Sequence, residues 1–189
     1  MPFDNYFDLT MRPDPDIPVW DCIGQVWRMV HVAGAISGVD FAVAFPGWMA
    51  EGFTVGNTLR VFAQGAQASE RLYDEIEKAP RLLEFAEESR VRSAKNATAF
   101  EAYMMRRIPS GVSKIRKSIP LDAQLQLQAD ARARRLAQQQ SLPFVRMRSS
   151  TGKAFRLTID RVAAAAEHQG RPNGYGLSRS TQIVALPVV

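Results

Sequence analysis

Apolar and polar residues alternate from Tyr6 to Arg12 (YFDLTMR), and Pro13-Asp14-Pro15 closes the run, which predicts an opening strand. Ile23, Val26, Trp27 and Val30 then recur at helical spacing between about Val19 and Ile36, giving one apolar face. Val39 to Phe45 and Thr58 to Ala63 are strand-like, Ala68 to Lys78 is helical, and Pro80 stops that helix. The order strand, helix, strand, strand, helix is most of a βαββαβ unit, the ferredoxin-like or RRM-like arrangement. Its last strand is expected within Leu82 to Arg92, where the pattern is poor.

Further along, Thr98 followed by Glu101 forms a capping-box signature and predicts a helix ending at Arg106-Arg107. Leu121 to Gln139 reads as a second helix with Arg132, Arg134 and Arg135 near its C-terminal end, where cations also suit the helix dipole. Phe144 to Arg148 and Ala154 to Asp160 are predicted strands around Ser149-Ser150-Thr151-Gly152, and a last strand lies near Gln182 to Leu186. The class is α+β. Residues 1–92 are expected to form a ferredoxin-like domain and residues 93–189 a basic α/β domain with an arginine-bearing helix.

Charge sharpens this division. Residues 1–89 carry 6 Lys+Arg against 14 Asp+Glu, a net of −8, and residues 90–189 carry 18 against 5, a net of +13. A basic surface attracts phosphate backbones and releases their counterions, which makes a nucleic acid the first partner to consider. With 189 residues at 46% apolar composition, the chain can bury one sizeable core or two small ones. The acidic start (Asp4, Asp8) and the interruption of Val30 to Ala50 by His31, Asp40 and Pro46 argue against a signal peptide and a membrane helix. One cysteine, Cys22, excludes an intrachain disulfide, and with only His31 and His168 it cannot build an ordinary structural zinc site. A reduced, cytoplasmic protein without cofactor or structural metal is expected.

The candidate chemistry follows by elimination. A two-metal nuclease needs convergent carboxylates, whereas the basic half has only Glu101, Asp122, Asp130, Asp160 and Glu167, scattered over different elements. There is no Walker lysine loop, no GxSxG elbow and no cysteine pair. What remains is one imidazole on an amphipathic helix, hydroxyls beside arginines, and Tyr175 between two glycines. These groups suit metal-free RNA cleavage, in which a 2′-hydroxyl attacks its own phosphate while a histidine moves the proton. Each also has a plainer reading. His31 could be a satisfied core residue, Ser149, Ser150 or Thr151 a turn former, Tyr175 and Phe155 packed aromatics, and Arg90 an ion-pair partner of Glu87 or Glu88, while His168 reads as a solvated loop residue.

Tyr6 to Pro15, the helix ending at His31, Ala44-Phe45-Pro46, Val55 to Arg60, Ser89-Arg90-Val91, Met105-Arg106-Arg107, Leu142 to Val145, Ser150-Thr151-Gly152, Phe155-Arg156-Leu157 and Tyr175 to Ser178 fall in one order along the chain. Together they resemble the subtype I-F CRISPR-associated endoribonucleases, which cut precursor CRISPR RNA at its repeat hairpins. The resemblance implies a metal-independent endoribonuclease of prokaryotic cytoplasm and antiviral defence. Its partners would be the repeat hairpin, the guide RNA and other subunits of a CRISPR effector complex, with no cofactor and no membrane. It further implies His31 as the proton-transfer group, Ser149 as the serine that constrains the attacking ribose, and Tyr175 as the tyrosine that orients the histidine. Ser150 and Thr151 are alternatives for the serine's place. Phe155 would stack on the last stem nucleotide, and Arg90 would read the guanine upstream of the cut through O6 and N7. A non-catalytic hairpin-binding subunit is the alternative.

This chain also departs from the family pattern. Glu101, Ala102 and Tyr103 stand where the predicted helix would carry arginines, which leaves Arg106 and Arg107 to track the groove and shifts recognition toward Lys114, Arg116 and Lys117. Arg92 replaces a glutamine two residues after the guanine-reading arginine, and a preference for guanine over adenine at the neighbouring step is expected if it points into the groove. Lys78 to Arg90 is shorter than usual, consistent with a divergent member.

Overall fold

The computed structural model describes residues 2–106, 120–149 and 151–189. Its first half is β1 (Asn5–Met11), α1 (Val19–Ser37), β2 (Phe41–Ala44), β3 (Thr58–Ala63), α2 (Ala66–Glu77), a single turn α3 (Leu82–Phe85), β4 (Ala86–Glu88) and β5 (Arg92–Ser93). The strands order as β2-β3-β1-β4, all neighbours antiparallel, with β5 also pairing with β1. This is the ferredoxin-like arrangement expected from the apolar pattern, including a last strand within 82–92.

The period of two is legible across the sheet. Phe7, Leu9, Leu59 and Val61 face the helices, with Phe7 edge-on to Tyr73 of α2. The opposite face carries Tyr6 against Phe62, Asp8 against Arg60 and Thr10 against Thr58. RRM sheets stack bases on that face. Here it is covered: Tyr6 is 7% and Phe62 0% exposed, and Arg60 donates to the carbonyl of Val189. Any nucleic acid must therefore be held elsewhere on the molecule.

The second half adds β6 (Phe100–Arg106), α4 (Leu121–Gln140), β7 (Phe144–Arg148), β8 (Ala154–Ala163) and β9 (Leu186–Pro187), with sheet order β7-β8-β6-β9. Here the structure corrects the sequence. Thr98 to Arg106 is not a helix, because residues 101–106 form a six-pair antiparallel ladder with β8 and Tyr103 is buried, its hydroxyl donating to the carbonyl of Phe45. Glu101 does not cap a helix either: its carboxylate lies 2.6 Å from the Tyr103 hydroxyl. Glu101, Ala102 and Tyr103 are therefore sheet positions and do not occupy a groove-tracking helix. One apolar cluster runs from Phe7, Trp27 and Phe45 through Tyr103, Val145 and Ile159 to Leu186. The helix α4 leaves most of its length in solvent, Arg132 and Arg134 included.

Candidate active site

His31 lies on α1 four residues after Trp27, so both project to one side of the helix, where they meet the loop 173–177. The Trp27 indole donates to the carbonyl of Tyr175 at 2.8 Å from within the core. One turn on, the His31 ring stacks on the Tyr175 ring, centroids 4.9 Å apart and planes 24° apart. Nδ1 of His31 is hydrogen-bonded to the carbonyl oxygen of Gly174. That oxygen can only accept, so Nδ1 carries the proton and the lone pair of neutral imidazole is left on Nε2.

The loop is clamped to the free edge of the first sheet, with Val43 N donating to the carbonyl of Gly176 at 2.9 Å. Gly176 has φ +78°, and a Cβ there would come within 2.8 Å of the Phe41 ring, so glycine is required on both counts. Beside His31 opens a cavity of about 470 Å³ lined by Asp40, Phe41, Arg171, Arg179 and Gln182. Arg171 is paired with Asp40 at 3.2 Å.

Ser149 begins the β7–β8 turn. Its hydroxyl accepts from Lys153 N at 3.1 Å and lies 2.9 Å from the Thr151 hydroxyl. With Thr151 as donor in that pair, the Ser149 proton stays free for another acceptor. The strand β7 runs alongside α1 in the same direction, since Trp20 contacts Phe144 and Gly24 abuts Arg146. From Gly24 to His31 the helix advances about 10 Å, and from Arg146 to Ser149 the chain advances about 10 Å, so each residue lies a similar distance beyond that contact along its own element.

The remaining candidates are more scattered. Phe155 is half-buried at the margin of the core. Arg106 is held by Asp160 of β8 at 2.6 Å. Arg90 and Arg92 lie exposed at the β5 edge, on the opposite side of the sheet from the β2 edge that the loop 173–177 clamps. The structure does not bring them to His31. Arg107, Lys114, Arg116, Lys117 and Ser150 lie outside the described residues.

The strand register also reveals a basic surface that the sequence reading missed. Arg146 and Arg156 are directly opposed on the solvent face of β7 and β8, Arg148 follows on the same face, and Lys153 sits in the turn. Like charges directly opposite one another destabilise a sheet. They are only partly relieved by Asp21, 3.9 Å from Arg146, and by the Phe144 ring under Arg156 at 3.8 Å. The signal was the alternation of arginine with apolar residues in FVRMR and AFRLT.

Two comparisons bear on this geometry. Residues 6–188 match the model of the CRISPR-associated protein family Cas_Csy4. The CRISPR-associated endonuclease Cas6/Csy4 of Pseudomonas aeruginosa (strain UCBPP-PA14) is 30% identical over 193 residues, covering 93% of this chain and 96% of that protein. With the match running from the first strand past the histidine-bearing helix and the tyrosine loop, this chain belongs to the Cas_Csy4 family of CRISPR-associated proteins.

Proposed function

We propose that this chain binds the hairpin of a CRISPR repeat and cuts the precursor RNA at the hairpin's 3′ base without a divalent metal. The observation that carries the reading is His31, held between the Gly174 carbonyl and the Tyr175 ring with Nε2 left as the basic nitrogen. Nε2 takes the proton of the ribose 2′-hydroxyl upstream of the cut. The freed 2′-oxygen attacks the adjacent phosphorus, the bond from phosphorus to the 5′-oxygen breaks, and that oxygen takes a proton from water to leave as a 5′-hydroxyl. A 2′,3′-cyclic phosphate stays on the hairpin. Ser149, with Ser150 or Thr151 as alternatives, constrains the attacking ribose.

Among the described residues no three His, Cys, Asp or Glu side chains group as a metal site, and residues 107–119 contain none of these types. This supports a reaction driven by proton transfer and electrostatics. Residues 1–92 carry the histidine and residues 93–189 most of the hairpin-binding surface, with Phe155 stacking on the last stem nucleotide. Arg90 and Arg92 at the sheet edge, together with Arg106, Arg107, Lys114, Arg116 and Lys117, contact the RNA. The product stays bound as the guide of an effector complex in the cytoplasm of a prokaryote.

The test uses the repeat hairpin from a neighbouring CRISPR array, in EDTA. Cleavage leaving a 5′-hydroxyl is expected, with no cleavage when the ribose upstream of the cut is 2′-deoxy and hairpin binding retained. Cutting of the deoxy substrate would overturn the mechanism. Tight binding with no cutting of the ribose substrate would favour the non-catalytic subunit.

A further inference from the structure

We infer that Asn173 is a positioning residue, which sets the tautomer and ring plane of His31 by folding the loop that touches it. The inference rests on the cleavage reading above. Oδ1 of Asn173 accepts from Tyr175 N at 2.8 Å and from Leu177 N at 3.2 Å. The backbone of Asn173 closes the same loop, its N–H donating to the Leu177 carbonyl and its carbonyl accepting from Gly176 N, both at 2.8 Å. The side chain is thus wrapped by the loop it organises.

This loop has no regular ladder to hold it, and two of its N–H groups depend on that one amide oxygen. Leu177 is fully buried, so its N–H cannot turn to water if Oδ1 is removed. The loop offers α1 two features, the Gly174 carbonyl at Nδ1 and the Tyr175 ring over the imidazole. Trp27 and Val43 anchor the carbonyls of Tyr175 and Gly176 but leave the Gly174 carbonyl to the loop's own fold. A loop that relaxes frees Nδ1, and the proton can move to Nε2, where it blocks the base. The charged groups near the imidazole are Arg28 one turn earlier on α1, and Asp40, Arg171 and Arg179 around the cavity.

Asn173→Ala removes the acceptor, and Asn173→Asp keeps it while adding negative charge close to His31. Single-turnover cleavage of the ribose hairpin is expected to fall about 10²-fold in Asn173→Ala, the scale of a mispositioned reacting group, with hairpin Kd within threefold of wild type. Asn173→Asp is expected to restore the rate to within threefold on the alkaline side, with the acid limb of its pH–rate profile moved to higher pH. In the RNA-free wild-type protein, ring correlations in ¹H–¹⁵N NMR should place the neutral proton of His31 on Nδ1, and in Asn173→Ala they should show a growing Nε2–H population. A wild-type ring protonated on Nε2, equal rates in wild type and Asn173→Ala, or equal losses in Ala and Asp variants would each overturn the inference. If Asn173→Ala does not fold, the wild-type tautomer and the Asp profile decide. If wild type does not cut at all, the cleavage reading fails, and the ring measurements still test Asn173.

Discussion

Gly24 on α1 abuts the backbone of Arg146 on β7, and a Cβ on Gly24 would lie 1.8 Å from the Arg146 carbonyl oxygen. The carbonyl belongs to the backbone, so no side-chain movement relieves the clash. Alanine at this helical position would add up to about 1 kcal/mol of helix propensity. The overpacking term, about 1–3 kcal/mol, is larger and wins. Gly24→Ala should therefore lower the melting temperature by several degrees. It should also slow cleavage more than Ala33→Gly, since it shifts β7, and Ser149 with it, along the helix that carries His31. An undisturbed melt with full activity would show that the two elements adjust independently.

Replacing His31 with alanine removes the base while leaving the packed side of α1 intact. Cleavage should drop by about 10²- to 10⁴-fold with hairpin affinity nearly unchanged. Loss of folding instead, read by circular dichroism, would assign His31 to the core.

Tyr175 meets His31 through its ring face. Tyr175→Phe keeps that stacking and should retain most activity, whereas Tyr175→Ala should lose about tenfold or more. Equal losses in the two variants would shift the role to the hydroxyl.

On the β7–β8 face, Arg148 is exposed beside the opposed pair Arg146 and Arg156. If this face lies along RNA phosphates, Arg148→Ala should weaken binding alike for all stem sequences and reduce the slope of log K against log salt by about 1. An unchanged slope would leave the face outside the footprint. Arg106→Ala should cost fold stability in addition to RNA affinity, because Arg106 is held by Asp160.

Glu88 has its carboxyl raised, first by burial and then by the charge of Glu77, and Tyr73 next to this pair is raised to about 12, chiefly by burial. A raised carboxyl in the folded state contributes stability below its unfolded pKa and loses it as pH rises through the folded value. Glu88→Gln should then stabilise the protein at pH 7 relative to wild type, and the gain should vanish near pH 4. Urea unfolding at the two pH values measures it, and a gain that is equal at both would assign the effect to hydrogen bonding.

The sequence by itself determined most of the ferredoxin-like half, because its elements up to α2 announce themselves locally, whereas the pattern is poor where the last strand forms. The alternation of YFDLTMR and the helical spacing of Ile23, Val26, Trp27 and Val30 survive unchanged in β1 and α1. The ordered motifs likewise brought out His31 and Tyr175 as candidates. Phe100 to Arg106 was misread, since a capping-box pattern is a local signal, whereas a strand is stabilised by a partner that here lies some fifty residues on, in β8. The arginine face is closer in sequence but still not local, since it exists only once β7 and β8 pair and set Arg146 and Arg156 opposite each other. Tertiary structure alone decided the chemistry of the imidazole. His31 and Gly174 are 143 residues apart, and no local pattern can say that a carbonyl will close on Nδ1 and leave Nε2 free. That choice of proton belongs to the loop around Asn173, whose own hydrogen bonds are local but whose carbonyl meets the distant imidazole only once the chain has folded.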